Sequence, residues 1–352
     1  MAYTDIDDPS AYFQIATYTG SNNQSITNDG NSDLQPDFVW IKRRSNADHH
    51  SLTNSSLGVN KQLLSSSSNA EQSRTDQIQS FNTDGFTLGI DGAGYTNVGG
   101  NTYVAWQWKA NGGTTSSNTD GSITSTVQVN QDAGFSIVTW TGNENASATV
   151  GHGLGVAPDM WIAKRRNGTY NWQVYTSALA PVSGNNLILT LNSTAAAEQV
   201  TGTSFTSSST FQPSSNAKRN SGDMIAYCFA SKQGYSKFGS YIGTGFANGP
   251  FVYTGFKPAF LIVKNTTNSG YNWVISDHKR SPVNEVDKYL WGDLTDAEYD
   301  GSGISLDIDY LSNGFKLRTS RSETNLNTAT YIYMAFAENP FVTSTGVPTT
   351  AR

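Results

Sequence analysis

The chain has 352 residues, with 22 Lys and Arg against 28 Asp and Glu and a net charge of −6, so it is long enough for two or three domains with real cores and has the wrong sign for generic nucleic-acid binding. Only 14% of residues are charged while 12% are aromatic, against about a quarter charged in an ordinary soluble domain. A single cysteine, Cys228, excludes an intrachain disulfide; no apolar run approaches the ~18 residues of a membrane-spanning helix; and few helix formers beside many turn formers, β-branched residues and aromatics favour an all-β protein.

The first stretch, MAYTDIDDPSAYFQ, carries neither the basic nor the apolar region of a signal peptide. The expectation is a protein folded in a cytoplasm yet surfaced like one that works outside, as virion proteins are. Residues 13–20, FQIATYTG, read as a strand, and 16 residues after Gly20 comes PDFVWIKRR, residues 36–44. AEQSRTDQIQS (70–80) is a helix candidate, FNTDGFTLG (81–89) a strand after a tight Asx-Gly turn, and YVAWQW (103–108) a closing strand. NGGTTSSNTDGSITSTVQVNQDAG (111–134) is a polar linker, although its STVQV part alternates with period two.

The series then returns. FSIVTWTG (135–142), PDMWIAKRR (158–166) and MIAYCF (224–229) repeat the three anchors in order, with LILTL (187–191) as a strand, TAAAEQV (194–200) as a helix candidate and a degenerate Asx-Gly strand near 205–211. SKQGYSK (231–237) is too short to be a flexible tether. A third round follows: FGSYIGTG (238–245), PAFLIVKNT (258–266), a helix candidate VNEVDKYLWGDL (283–294), YLSNGFKLR (310–318) and YMAFAE (333–338). Lys42, Lys164 and Lys264 each lie six residues after the proline, and Ala105, Ala226 and Ala335 each precede an aromatic in the closing strand. Such self-similarity decides the fold. It predicts an all-β chain of three tandem β-sandwich, jelly-roll-like units with few short helices: an N-terminal anchor segment 1–11, units at 12–110, 134–232 and 233–341, a linker or strand at 111–133, and a loose tail at 342–352.

Alternation along the lysine strand places Phe38, Trp40 and Lys42 on one face and Val39 and Ile41 on the other; Met160 and Ile162 against Trp161 and Ala163; Phe260 and Ile262 against Leu261 and Val263. Both faces are apolar in every copy, so the strand is covered on both sides, by its own sandwich and by a neighbour. The arginines after the lysine read as solvated strand ends or as salt-bridge donors between subunits.

The MAYTDIDDPSAYFQ start, the YTG and PDFVWIK segments, DGFTLG, GNTYVAWQWKA, DGSITSTVQVN and the closing IYMAFAENPF resemble a repeat-domain family encoded by marine tailed bacteriophages, cyanophages and pelagiphages among them. The resemblance covers almost the whole chain. It implies a virion structural or tail-fibre-like protein and transfers no catalytic residues.

Chemistry is otherwise sparse. Adjacent His49 and His50 point to opposite faces of a strand, and four histidines with one cysteine make a zinc site improbable. No nucleophile-elbow, HExxH or Walker sequence occurs. Asp84, Glu144, Asp159, Asp223 and Asp307 are the carboxylates from which a glycosidase pair would have to come, but turn and strand-edge roles explain them. Tyr170, Trp172, Tyr271 and Trp273, in the YNW that follows two of the lysine strands, are the candidate carbohydrate platform, weighed against an inward-packing strand. Asp5, Asp7, Asp8, Pro9, Tyr12 and Phe13 form the candidate particle anchor. The expectation is a non-enzymatic virion protein, a tail fibre, appendage or head decoration. It would form a homo-oligomer, bind other virion proteins and host-surface polysaccharide, and need no cofactor, metal, nucleic acid or membrane. A polysaccharide depolymerase and a ligand-free capsid or tail cement are the alternatives.

Overall fold

In the computed structural model, described for residues 2–182, 185–200, 205–213, 220–301 and 306–349, the protein is all-β, with antiparallel sheets throughout. One strand order occurs three times. In the first unit the opening strand Phe13–Thr19 lies beside the closing strand Thr102–Trp108, then the lysine strand Phe38–Arg43, then Ser51–Asn54 and Lys61–Leu64. In the second the order is Phe135–Asn143, Ser221–Phe229, Met160–Arg165, Gln173–Thr176 and Asn186–Thr190. In the third it is Ser236–Ile242, Thr330–Pro340, Phe256–Asn265, Val274–Asp277 and Tyr289–Trp291. The lysine strand is interior each time, so both of its edges are hydrogen-bonded to neighbouring strands.

A small second sheet covers one face of each large one: Gln24–Ile26, Phe86–Leu88 and Ile78–Phe81 in the first unit, Val150–Gly151 with Thr210–Phe211 in the second, and Phe251–Tyr253, Gly314–Leu317 and Ile308–Leu311 in the third. Between them lie three separate sandwich cores. Val39, Ile41 and Phe86 share one, Trp161, Ala163 and Phe211 another, and Leu261, Val263 and Phe315 the third. The opposite faces of the three large sheets meet each other. Phe38 and Trp40, Met160 and Ile162, and Phe260 and Ile262 all belong to one central cluster, so the alternation read from sequence holds at every one of these residues.

That central cluster is aromatic and continuous across the units. Phe13 stacks on Phe336 at 4.9 Å, Phe38 on Tyr227 at 4.1 Å, and Phe229 meets Phe336 at 6.1 Å. The moved tryptophan has different neighbours as expected: Trp40 sits against Trp106 in the centre, whereas Trp161 faces Tyr175 and Phe211 in the outer core.

The structure corrects the sequence reading in several places. Residues 70–80, 194–200 and 283–294 are not helical; they contain the strands Gln72–Ser73, Ile78–Phe81, Glu198–Val200 and Tyr289–Trp291. These segments run along the joints between units, where pairing with a neighbouring chain segment outweighs local helix propensity. The described helices are instead a 3-10 turn at Pro9–Ala11 and one α-turn at Ser322–Asn325. In the third unit the opening and closing strands are both displaced by two residues from the motif match. Phe260 pairs with Phe336 as Phe38 pairs with Trp108 and Met160 with Phe229, so Tyr333, not Ala335, takes the place of Ala105 and Ala226. Because these two strands pair with each other, they slip together and the core stays filled. The STVQV segment is a strand, Ser125–Asn130, that widens the second large sheet. The described part of the tail is folded back: Val342 bridges Pro348, and Ser344 donates to Asp7.

Because one core serves all three units, Trp106→Ala or Phe336→Ala should lower stability by about 3–5 kcal/mol without dividing the unfolding transition. Denaturant melts followed by tryptophan fluorescence and by far-UV dichroism should coincide; separate transitions for the units would refute a shared core.

Candidate functional site

The candidate residues from the sequence lie mostly in the seams between units, and the seams repeat. After each lysine strand the chain turns onto the neighbouring unit. The Glu298 N–H donates to Arg44 O (2.8 Å), Glu71 N–H to Arg166 O (2.7 Å) and Ala197 N–H to Thr266 O (2.9 Å). Two of these joints also carry ion pairs, Arg44 with Glu298 at 2.8 Å and Arg166 with Glu71 at 2.6 Å. The third has Thr and Ala where the others have Arg and Glu. The second arginine of each KRR is therefore a salt-bridge donor within the chain. At the seam between the third and first units the pair extends inward. Arg280, fully buried, bonds Glu298 (3.1 Å) and Asp277 (2.6 Å), and Asp277 accepts the Trp106 indole N–H at 3.0 Å.

The proposed carbohydrate platform is one of these seam contacts. Trp172 and Trp273 are 0% and 2% exposed. Their indole N–H groups donate across the seams to Leu64 O (2.8 Å) and Thr190 O (3.0 Å). No face of either ring is open to a sugar. In the first unit His50 stands at this position and bonds Trp291 O at 2.9 Å. Its Nδ1 accepts the Trp40 indole N–H, which leaves the proton on Nε2, and burial holds the imidazole well below its ordinary pKa. Tyr170 lies half-buried under the Arg165 guanidinium, 4.6 Å from the ring centre, and Tyr271 offers its carbonyl to Lys264. The four residues do not form a common surface.

The lysines are not at exposed strand ends either. Lys42, Lys164 and Lys264 are 0% exposed. Each amine is held by carbonyls of the loop it precedes: Lys42 by Arg43 O (2.5 Å), Lys164 by Arg165 O (2.7 Å) and Lys264 by Tyr271 O (2.6 Å). Burial pushes all three down from 10.5 to about 8.

The candidate anchor residues are stitched into the same fold. Phe13 is in the central cluster, Pro9 is buried, Tyr12 meets Tyr235 edge to face, Asp8 accepts from Ser10 and Ser32, and Asp7 accepts from Ser344. Asp5 is exposed. Phe13 and Pro9 thus have no surface to offer a second protein. Of the five candidate acids, Asp84 accepts the Leu34 N–H and Asp159 caps a seam; Glu144 sits at a left-handed turn, φ 60°. Among the described residues no group of three His, Cys, Asp or Glu is placed to hold a metal ion, and no helix is long and apolar enough to cross a membrane.

One seam differs in a way the sequence signals but motif reading missed. The aspartate of the Pro-Asp pair is a capping group. Asp37 accepts N–H bonds from Ala110, Gly112 and Gly113 at 2.7–2.9 Å and the Ser55 hydroxyl at 2.6 Å. Asp159 accepts the Ser231 N–H (2.8 Å) and the Ser177 hydroxyl (2.9 Å). In the third unit the aspartate is Ala259, and the serine is His278, whose N–H donates to Ala259 O at 2.9 Å. Where the Asp–Ser pair is missing, a cleft of about 190 Å³ opens between the third unit and the first, with Ala259 and His278 in its wall.

The chain belongs to the family defined by a domain of unknown function, DUF7483, which matches residues 8–340. No curated protein and no solved structure matches it.

Supplying the missing ion pair with Thr266→Arg and Ala197→Glu together should stabilise the protein by up to about 1 kcal/mol, read as a rise in melting temperature that neither single substitution gives. The lysines set a pH dependence. Between pH 8 and 10.5 the unfolded chain binds more protons than the folded one, so stability rises with pH across that window. Tyr227 and Tyr310, whose phenols burial pushes up, reverse the trend above about pH 10, where unfolded tyrosines ionise. Melting temperature should climb from pH 7 to 9.5 in the parent, whereas in a Lys42→Met, Lys164→Met, Lys264→Met variant it should fall, because the Cys228 thiol and the buried tyrosines, all pushed up by burial, then act alone; a parallel slope in both would refute this role.

Proposed function

We propose that this member of the family is a non-enzymatic structural protein of a tailed-phage particle, displayed as a tail fibre, appendage or head decoration, with a surface that contacts host glycans. The motif resemblance gives the class. The observation that carries the reading is the closed joining of the three units: each lysine strand is covered on both faces, and each seam is crossed by backbone hydrogen bonds. A body whose units share one core and are tied by backbone hydrogen bonds suits a component exposed to proteases and to a host surface. The apolar strand faces that favoured a homo-oligomer in sequence are covered within one chain. Assembly with other virion proteins therefore has to use outer surfaces, such as the exposed Phe246, Phe251 and Tyr253 of the third unit.

Mass spectrometry of gradient-purified particles from the source phage should find the protein at fixed stoichiometry to the major capsid protein, and antibody–gold labelling should place it at one site, head or tail. Its absence from washed particles would refute the assignment. Incubation with host envelope polysaccharide should release no fragments; released oligosaccharides would support a depolymerase instead.

A further inference from the structure

We infer that Asp293 and Asn272 form a proton-operated latch at the root of the seam between the third and second units. With a proton on Asp293 the two side chains are joined by a hydrogen bond; on its loss they become two opposed acceptors. The inference goes beyond the proposed function and does not depend on it. The repeats show what belongs at this place, and the strand register fixes the equivalence: Asp293, Asn192 and Ser66 each lie two residues beyond the partner of Val274, Gln173 and Ser51. In the second unit Asn192 accepts the Trp172 N–H through Oδ1 at 2.9 Å and donates through Nδ2 to Asn171 Oδ1 at 2.9 Å. In the first unit the equivalent side chains, His49 and Ser66, are bonded at 2.9 Å. In the third, Asp293 Oδ1 accepts the Trp273 N–H at 3.0 Å, so the carboxyl sits where the sibling amide does. Its Oδ2 takes the place of the donating Nδ2, beside Asn272. Asn272 Oδ1 and Asp293 Oδ2 are both buried atoms with no hydrogen-bond partner among the described residues.

An ionised carboxylate only accepts, and a proton turns Asp293 back into the donor that Asn192 is. The surroundings favour that proton. Asp293 is 5% exposed, and burial pushes its carboxyl up from 3.8 to about 6. Among the charged groups acting on it, Lys264 on the strand Phe256–Asn265 pulls it down, and Asp296 in the following loop pushes it up. The first unit meets this loop through the Ser65 hydroxyl, which donates to Gly292 O, and the Asp48 N–H, which donates to Thr295 O, while the Asp48 carboxylate is paired with Arg43. The second unit meets the Lys264 amine through Thr194 O. The Lys264 ammonium opposes a metal ion between the two oxygens, which leaves the proton. Because the folded pKa is raised, the stability contributed by the proton is complete below about pH 3.8 and is lost as pH rises through about 6. The latch bears on the seam because Asp293 holds the backbone of Trp273, whose indole N–H crosses to Thr190 O in the second unit.

The test is Asp293→Asn in the full chain, which installs the residue of the second unit and keeps the latch closed at every pH. Its gain in melting temperature over the parent should be about 2–4 °C larger at pH 8 than at pH 4. Hydrogen–deuterium exchange of the peptide around Trp273 should be slower in the variant than in the parent at pH 8 and equal in the two at pH 4. Asn272→Ala supplies the second arm. It removes the acceptor, so it should lower the melting temperature more at pH 4, where the bond exists, than at pH 8. An Asp293→Asn effect that is the same at both pH values, or exchange around Trp273 that it leaves unchanged at pH 8, would overturn the latch. A larger loss from Asn272→Ala at pH 8 would overturn it too, because the Asn272 amide would then be donating to an ionised Asp293. A melting temperature that rises with added calcium chloride in the parent but not in Asp293→Asn would put a metal ion in the gap and remove the proton from it.

Discussion

The structure depends on a strand that is buried on both faces three times over. A sheet strand normally turns one face to solvent, and its sequence alternates accordingly. Here the lysine strand packs outward against its own small sheet and inward against two other units, so neither face has a polar choice. Three consequences follow from that single constraint. The inward faces supply one core that none of the units can complete alone. The strand needs a polar group only where it ends, and a fully buried lysine anchored on the carbonyls of the next loop meets that need. The loops leaving it must then turn at once onto the neighbouring unit, which makes the seams.

Within the seams, backbone and side chain share the work unequally. The inter-unit backbone bond is present in all three, so it is the element the architecture requires. The ion pair is present in two, and its partners are replaced together, Arg by Thr and Glu by Ala. An isolated Arg or Glu there would lose its partner and gain nothing, whereas the matched small pair leaves the backbone bond intact. Median surface ion pairs contribute at most about 1 kcal/mol, which is why one seam can do without. The buried Arg280–Asp277 pair is different in kind, because removing either partner would strand a charge with no access to water.

Most of the fold was legible because it is written as alternation and repetition. The faces of residues 38–42, 160–164 and 260–264 followed from period two alone, since burial on both sides leaves the pattern unbroken. What stayed hidden depends on contacts between distant segments. Residues 70–80 have the composition of a short helix, but Glu71 is held extended by Arg166, nearly a hundred positions away, and no local pattern records that bond. The aromatic platform failed for a related reason. Exposed and buried tryptophans look alike in sequence, and Trp172 turned inward because its indole N–H found Leu64 O in the preceding unit. The two-residue slip in the third unit was invisible because Ala335 imitates the small residue of its siblings while Tyr333 actually occupies their place.

Repetition inside one chain separates what the architecture demands from what it merely permits. Gly20, Gly142 and Gly243 occupy one position, and a Cβ at any of them would lie 2.2–2.4 Å from a backbone atom, so no other residue fits. Lysine at the strand end is equally invariant within the chain. Asp37 and Asp159, by contrast, each cap backbone N–H groups at a seam, and Ala259 abandons that role without loss of the strand. At that same seam the N-terminal segment, through Asp8 and Ser10, closes over the space and keeps its walls ordered. A position that two siblings fill with a hydrogen-bonded carboxylate, and the third leaves as a braced and open cleft, has been released from a structural duty.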